Sequence, residues 1–332
     1  MSIESIDMRS AALLVIDLQN AFIHEQGTLG ISGVDTKRLS SIVPTLKTLI
    51  PQCQQAGIPV IWTVQEHLNV DHSRARKKLA SHTARRKRVS CIAGTWDAEI
   101  VDELKPFAAV NPTFCVRKHR YGAFFDTRLD MLLRMLGVRT LLIAGTTINA
   151  CVETTIREAY LRDFDVLAVK DCISGVRDSW ETTAFEVWDQ YFCQFTNSND
   201  IQKWIERETA PHPLGYGHML MMVSDMKKSL AFYEDLVGFR VRPAKPLADG
   251  RPFVAFTQGI ALIEGRQSGH RQIDHMAFEV NRVRELRDRL KAAGVEFQDD
   301  LHDGPYGLTI YVTDPDGLRL EFYQVGASMA GS

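Results

Sequence analysis

Residues 140–171, TLLIAGTTINACVETTIREAYLRDFDVLAVKD, decide the fold of the larger part of this chain. An apolar run at Thr140–Thr147 reads as a buried strand, Ala150–Arg162 has the pattern of a helix, and Asp165–Lys170 is a second strand. The same texture extends outward. Ala11–Asp17, Ile58–Gln65, Thr113–Lys118 and Tyr191–Thr196 are further continuous, β-branched-rich strands, and Lys37–Ala56, Thr127–Leu136 and Trp180–Gln190 are helical. Strand–helix alternation of this kind predicts an α/β domain, a doubly wound parallel sheet in three α/β/α layers. With strand order 3-2-1-4-5-6, the first and fourth strands are neighbours at the switch point, and chemistry gathers at the carboxyl ends of the strands.

The 332 residues exceed one ordinary domain, so two are expected. A net charge of -2 and 45% hydrophobic content exclude a disordered or histone-like chain. The sequence holds no run long enough to span a membrane, and its polar start MSIESIDMRS does not read as a secretion signal, so a cytoplasmic location is expected. All six cysteines lie before residue 194 without a C-x-x-C pair, which reads as reduced, buried thiols. Thr209–Gly217, rich in Pro and Gly, reads as a linker between a domain at 1–208 and one at 218–326, with a tail at 327–332. The second domain shows a weak repeat of about 57 residues, each copy βαβββ, which predicts an α+β domain of paired modules.

Three residues fall at carboxyl ends of strands or just after them: Asp17, Lys118 and Cys151. They supply a base, a cation and a nucleophile. Cys151 near the start of a helix is expected to favour its thiolate. Asp17 can take the thiol proton and return it to a departing amine, and Lys118 can hold the carboxylate and stabilise developing charge. Taken singly, each also reads as a turn former, a solvated lysine or a packing thiol.

AALLVIDLQNAF, GTWDAEIVDELKP, VRKHRYGAFF and LLIAGTTINACVETTIREAYLRDFDVLAVKD together resemble the isochorismatase-like cysteine hydrolases over about residues 8–205. The resemblance implies that Asp17, Lys118 and Cys151 are the catalytic triad. It also implies a cis peptide at Thr146–Thr147 and an oxyanion hole from the N–H groups of Thr147 and Cys151. Members that keep the cysteine cleave C–N bonds, and GTWDAEIVDELKP with KHRYGAFF is most similar to the ureidoacrylate, biuret and N-carbamoylsarcosine amidohydrolase branch. Two positions depart from the wider family. Ala21 stands where an acidic residue is usual, and Gln65-Glu66-His67 with His72 replaces the metal-binding run of nicotinamidases, so no cofactor is expected in this domain. Phe22, Arg120 and Tyr121 are expected to line the substrate pocket. The segment 74–88 carries eight Lys/Arg in 15 positions. It reads as a solvated insertion or as a lid that attracts a carboxylate, with His82, Arg85 and Arg88 as contacts, and not as a nucleic-acid site, because aromatics are not interleaved.

In the second domain, His218, His275 and Glu321 fall in strands, with Glu264 a fourth candidate. Two His and a carboxylate suit a divalent ion: Fe, Mn, Zn or Ni. GHMLMMVSDMKKSLAFYEDLVGFRV, DHMAFEVNRVRELRDRLKAAGVEF and YVTDPDGLRLEFYQ resemble the vicinal-oxygen-chelate superfamily of glyoxalases, fosfomycin-resistance proteins and extradiol dioxygenases. The resemblance places His218, Glu264, His275 and Glu321 at the metal ligands, with His270, Arg271 and Tyr306-Gly307 as lining candidates. It also implies a site completed by a second chain, hence a homodimer or higher oligomer. The expectation is a bifunctional enzyme acting on small molecules, with neither nucleic acid nor membrane as partner. Its alternatives are a hydrolase carrying a metal-free binding module, and a metal dioxygenase or lyase with a secondary hydrolase domain.

Overall fold

The computed structural model describes residues 3–68, 89–244, 247, 249–265, 273–313 and 318–329; the basic segment 74–88 and the candidates His72, His270 and Arg271 fall outside them. The chain divides into two compact units, Met1–Thr209 and Ala210–Ser332.

Unit 1 is built on six parallel strands: β1 (Ala11–Ile16), β2 (Val60–Gln65), β3 (Cys115–Lys118), β4 (Thr140–Thr146), β5 (Asp165–Ser174) and β6 (Gln194–Thr196), in the order β3-β2-β1-β4-β5-β6. This is the doubly wound sheet expected. The reason lies in β1, which is buried at all six positions. Side chains alternate across a strand, so a strand apolar throughout needs cover on both faces. Leu13 and Val15 pack on one side with Leu46, Leu49 and Trp204 from the helices Val43–Gln55 and Ser198–Thr209. Ala12, Leu14 and Ile16 pack on the other with Leu133, Ile156 and Trp188, from the helices Leu129–Met135, Glu153–Tyr160 and Asp178–Tyr191. The last helix takes Tyr191 from the strand expected there, and β6 is correspondingly short.

Unit 2 is one eight-stranded mixed sheet formed by two βαβββ modules. The first holds β7 (Pro213–Val223), β8 (Val241–Arg242), β9 (Phe253–Phe256) and β10 (Ile260–Glu264). The second holds β11 (Ile273–Val280), β12 (Phe297–Gly304), β13 (Gly307–Thr313) and β14 (Arg319–Gln324). The order β12-β13-β14-β11-β7-β10-β9-β8 joins the modules through antiparallel β7 and β11. Strand β7 begins at Pro213, inside the stretch expected to be linker, because Pro213 pairs with Val280. Helical residues Val283 and Leu286 pack with Leu308 and Ile310, and Met226 packs with Phe256 and Leu262, so helices cover one face of the sheet.

Candidate functional sites

The rim of unit 1 follows from strand direction. All six strands are parallel, so Asp17, Gln65, Lys118 and the turn after Thr146 leave the sheet at the same edge. Gly145 lets β1 and β4 approach at the switch point: its φ is +126°, and a Cβ there would lie 2.1 Å from the Ile16 carbonyl. Asp17 itself has φ 53°, a left-handed conformation that Asp tolerates better than most residues.

Lys118 and Asp17 are wholly buried and paired, Nζ to Oδ2 at 2.7 Å. Thr63 Oγ1 donates to the other carboxylate oxygen at 2.7 Å. Lys118 Nζ also donates to Gln65 Oε1 (2.9 Å) and to the carbonyls of Arg120 (3.1 Å) and Tyr121 (3.0 Å). With Gln65 Oε1 accepting, its amide nitrogen faces His67 Nε2 at 3.2 Å, and His67 Nδ1 lies 2.7 Å from the Ser90 carbonyl. A carbonyl can only accept, which assigns the imidazole proton to Nδ1 and leaves Nε2 as acceptor from Gln65. Burial pulls the Lys118 ammonium down, but Asp17 and Cys151 outweigh it and the net shift is upward.

Cys151 lies inside a π-helical turn, Ile148–Val152, that runs into the helix Glu153–Tyr160; Thr147, joined to Thr146 by a cis peptide bond, precedes the turn. The helix thus opens earlier than its sequence suggests. The thiol is buried and interacts with both Asp17 and Lys118. Its pKa is raised, first by burial and then by the Asp17 charge, with Lys118 opposing. This differs from the expected thiolate: desolvation and a neighbouring carboxylate prevail, and the sulfur rests as a thiol. The Lys118 loop and the Cys151 helix are stitched together. Thr155 Oγ1 donates to the Cys151 carbonyl (2.7 Å) and accepts from Ala123 N–H (3.1 Å), while Phe124 N–H donates to Glu158 (2.9 Å).

Of the expected wall residues, Phe22 is half-buried against the core. Arg120 and Tyr121 contribute their carbonyls to Lys118; the Arg120 guanidinium turns to the His119 carbonyl at 2.6 Å, and Tyr121 is exposed. Sequence reading assigned no role to Thr63, Gln65, Gln19 or Asp97. Gln19 bridges β1 to β2, its Nε2 donating to the Gln65 carbonyl (2.8 Å) and its Oε1 accepting from Gln65 N–H (2.7 Å). Asp97 accepts from Thr28 N–H, Thr28 Oγ1 and Cys91 N–H at 2.7–2.9 Å, which ties the quoted GTWDAEI segment to the rim. The available signal was position: Gln65 is the last residue of an edge-directed strand.

In unit 2 the register builds the site. Ala277 of β11 pairs with His218 of β7 and with Glu321 of β14, and Glu321 pairs with Tyr311 of β13. Directly paired residues share a face, so these four form a row, and His275, two residues before Ala277, joins the same face. The small Ala277 leaves space between the polar side chains. Ligand atoms of His218, His275 and Glu321 lie within 4.8 Å of one another, all three residues buried. His275 Nε2 is 2.7 Å and His218 Nε2 3.7 Å from Glu321 Oε2. His275 Nδ1 contacts Asp274 Oδ2 at 2.8 Å, a carboxylate also held by Arg319 at 3.2 Å. Burial pushes the His218 imidazole down to about 4, helped by His275 and Arg242 and opposed by Glu321, so it is neutral near pH 7.

Glu264 does not join this cluster. Its carboxylate accepts the Met226 N–H at 2.6 Å, at the start of the helix Met226–Leu230, where unpaired backbone donors attract an anion. Buried His218 Nδ1 and Glu321 Oε1 have no hydrogen-bond partner among the described residues, and His275 Nε2 meets only Glu321 Oε2. Such atoms are costly to bury, and the donor set of two imidazoles and a carboxylate fits a divalent metal. The Asp274 contact on Nδ1 would orient His275 to ligate through Nε2.

Residues 11–200 match the family described as Isochorismatase domain, and residues 215–322 match the Glyoxalase/Bleomycin resistance protein/Dioxygenase superfamily. The chain is 31% identical over 173 residues to a ureidoacrylate amidohydrolase of Cronobacter turicensis, covering 48% of this chain and 73% of that protein. It is 32% identical over 174 residues to the ureidoacrylate amidohydrolase of Yersinia enterocolitica, covering 49% and 74%. The solved structure of an isochorismatase family protein from Desulfovibrio vulgaris superposes with a TM-score of 0.51 at 29% identity, covering 60% of this chain and 100% of that one. A cysteine hydrolase from Pseudomonas syringae pv. phaseolicola shares the fold, with a TM-score of 0.52 at 23% identity over 61% of this chain and 95% of its own.

Proposed function

The chain belongs to the isochorismatase family, and from that premise we propose that unit 1 is a cysteine amidohydrolase that cleaves the C–N bond of a small ureido or carbamoyl compound. The observation that carries this reading is the fully buried Asp17–Lys118 pair with the Cys151 thiol against it. A thiol that rests protonated needs a base at the moment of attack, and Asp17 is in place to serve. The thiol proton passes to Asp17 as sulfur bonds to the substrate carbonyl carbon. The oxyanion that forms is met by the N–H groups of Thr147 and Cys151. Collapse breaks the C–N bond, and the amine departs with the proton from Asp17. Water then attacks the S-carbamoyl intermediate, Asp17 taking its proton; the C–S bond breaks, the sulfur recovers that proton from Asp17, and a carbamic acid leaves. Lys118 holds the carboxylate in alignment, and Thr63 and Gln65 fix the pair. The named activity of the ureidoacrylate amidohydrolase relatives supports the ureido class.

The test is amine or ammonia release from a panel of ureido, carbamoyl and simple amide compounds. Release that requires Cys151 and favours ureido members supports the assignment; full release by Cys151→Ala removes it.

For unit 2 we propose a divalent metal centre held by His218, His275 and Glu321. When bound there, the metal supplies Lewis acidity to an oxygen of a small ligand. His275 would present Nε2 with Asp274 behind it, Glu321 would supply the negative charge, and His218 would bind as neutral imidazole. These three residues come from one chain, so this set does not depend on a second copy. Elemental analysis of wild type and His275→Ala tests the centre.

A further inference from the structure

Unit 2 holds a second unsatisfied feature beside that cluster. In the strand order, β8 lies at one end of the sheet and the β12–β13 hairpin at the other. Six to seven strand spacings would separate them by roughly 30 Å in a flat sheet. Yet Arg242 of β8 and Tyr306 of the hairpin turn are in contact, the guanidinium carbon 5.1 Å from the ring centroid. The Tyr306 ring lies 4.8 Å from that of His218. The sheet therefore curls until its edges meet over the polar row, and the two residues where they meet lie beside His218.

Neither residue is satisfied there. Arg242 Nε and Tyr306 Oη are buried; the Arg242 guanidinium acts on the Tyr306 oxygen, but neither the Nε–H nor the phenol O–H has an acceptor among the described residues. Arg242 is half-buried and forms no ion pair among those residues, and Glu321 is the one carboxylate in the polar row. A desolvated guanidinium without a counter-charge is unfavourable, and a phenol near neutral pH has a proton to donate. A planar, two-oxygen anion answers both, because a guanidinium edge matches it and the phenol can reach its second lone pair.

We propose that Arg242 and Tyr306 form an oxyanion cradle beside the His218–His275–Glu321 cluster, and that the ligand of unit 2 is a small carboxylate. The cradle fixes the carboxylate end and leaves the rest of the ligand over the cluster; only that second contact rests on the metal reading. The test is calorimetric titration of the full chain with glycolate, in Mn(II)-loaded and metal-stripped forms. Arg242→Gln should weaken glycolate by about tenfold or more in both forms while leaving Mn(II) affinity unchanged. Tyr306→Phe should weaken it by about fivefold, and Arg242→Lys should recover part of the loss. Neutral glycolamide should bind wild type and Arg242→Gln alike. Equal glycolate affinity in wild type and Arg242→Gln, or no glycolate binding to either form of wild type, overturns the proposal. Should wild type take up no Mn(II) while glycolate binding still depends on Arg242, the metal reading fails and the cradle stands.

Discussion

On the rim of unit 1, buried charge is answered inside the chain: Lys118 meets Asp17, and Gln65 and two carbonyls share its other donors. On the polar row of unit 2 it is answered only in part: Glu321 pairs with His275, while His218, Glu321, Arg242 and Tyr306 keep buried atoms without partners. A satisfied network fixes its groups in place, whereas an unsatisfied one in a folded domain marks where something else binds. The first site therefore carries its own reagents. The second is a receptor whose polar lining is completed by its ligands.

The sharpest way to break this contrast is to remove one reagent. Cys151→Ala should lower amine release by about 10⁴-fold or more, since a nucleophile and its base act as a unit, while metal uptake by unit 2 stays unchanged. A residual rate within tenfold of wild type would mean that the rim is not the catalytic site. Next in size, Lys118→Met leaves Asp17 buried without its cation and should cost unit 1 about 3–5 kcal/mol. All five tryptophans lie in unit 1, so tryptophan fluorescence in urea reads that unit alone. Adding Asp17→Asn to Lys118→Met should restore part of the loss; if it restores none, the pair is not the source of the cost. In unit 2, His275→Ala should weaken metal binding by about 100-fold or more without altering amine release. Glu264→Ala should leave metal affinity unchanged and cost about 1 kcal/mol as a lost helix-start acceptor. A Glu264 variant that loses metal would return that residue to the ligand set.

The parallel sheet was legible because strands buried on both faces leave continuous apolar runs, and strand order then puts Asp17 and Cys151 side by side. What could not be read was the second tier. Gln65 and Thr63 matter through where β2 ends relative to β1, a register that no local pattern encodes. The thiol's protonation was misjudged for a related reason: helix position is visible in sequence, but desolvation and the distance to Asp17 are not. In unit 2 the repeat pairs His218 with His275 (275 − 218 = 57) and Glu264 with Glu321 (321 − 264 = 57). The period is the same, yet only Glu321 faces the row, since Glu264 turns to a helix start beside it. Arg242 was invisible because its importance comes from sheet curl, which brings residues 242 and 306 together from opposite ends of the strand order.

A last expected effect separates the units by pH. Burial pushes the thiols of Cys53 and Cys193 up to about 12 and also raises those of Cys91, Cys151 and Cys172. Below about pH 8.5, the value of a thiol in an unfolded chain, folded and unfolded states hold the same protons and the stabilisation is fully present. Above it the unfolded chain ionises first, so it binds fewer protons and stability falls as pH climbs toward the folded value. The slope is at most about 1.4 kcal/mol per pH unit for each thiol. Unit 2 contains no cysteine. Its raised acids include Tyr306 and Tyr311, shifted up first by burial, and Tyr323, pushed up to about 12 for the same reason. Tyrosine in an unfolded chain ionises near 10, so their loss begins later. Between pH 8.5 and 10, the urea midpoint read by tryptophan fluorescence should therefore fall, while the part of the far-ultraviolet circular dichroism transition that fluorescence does not report holds its midpoint. If both transitions move together over that window, the units do not unfold independently, and the contrast between a self-sufficient rim and a ligand-completed row would have to be tested on one cooperative body.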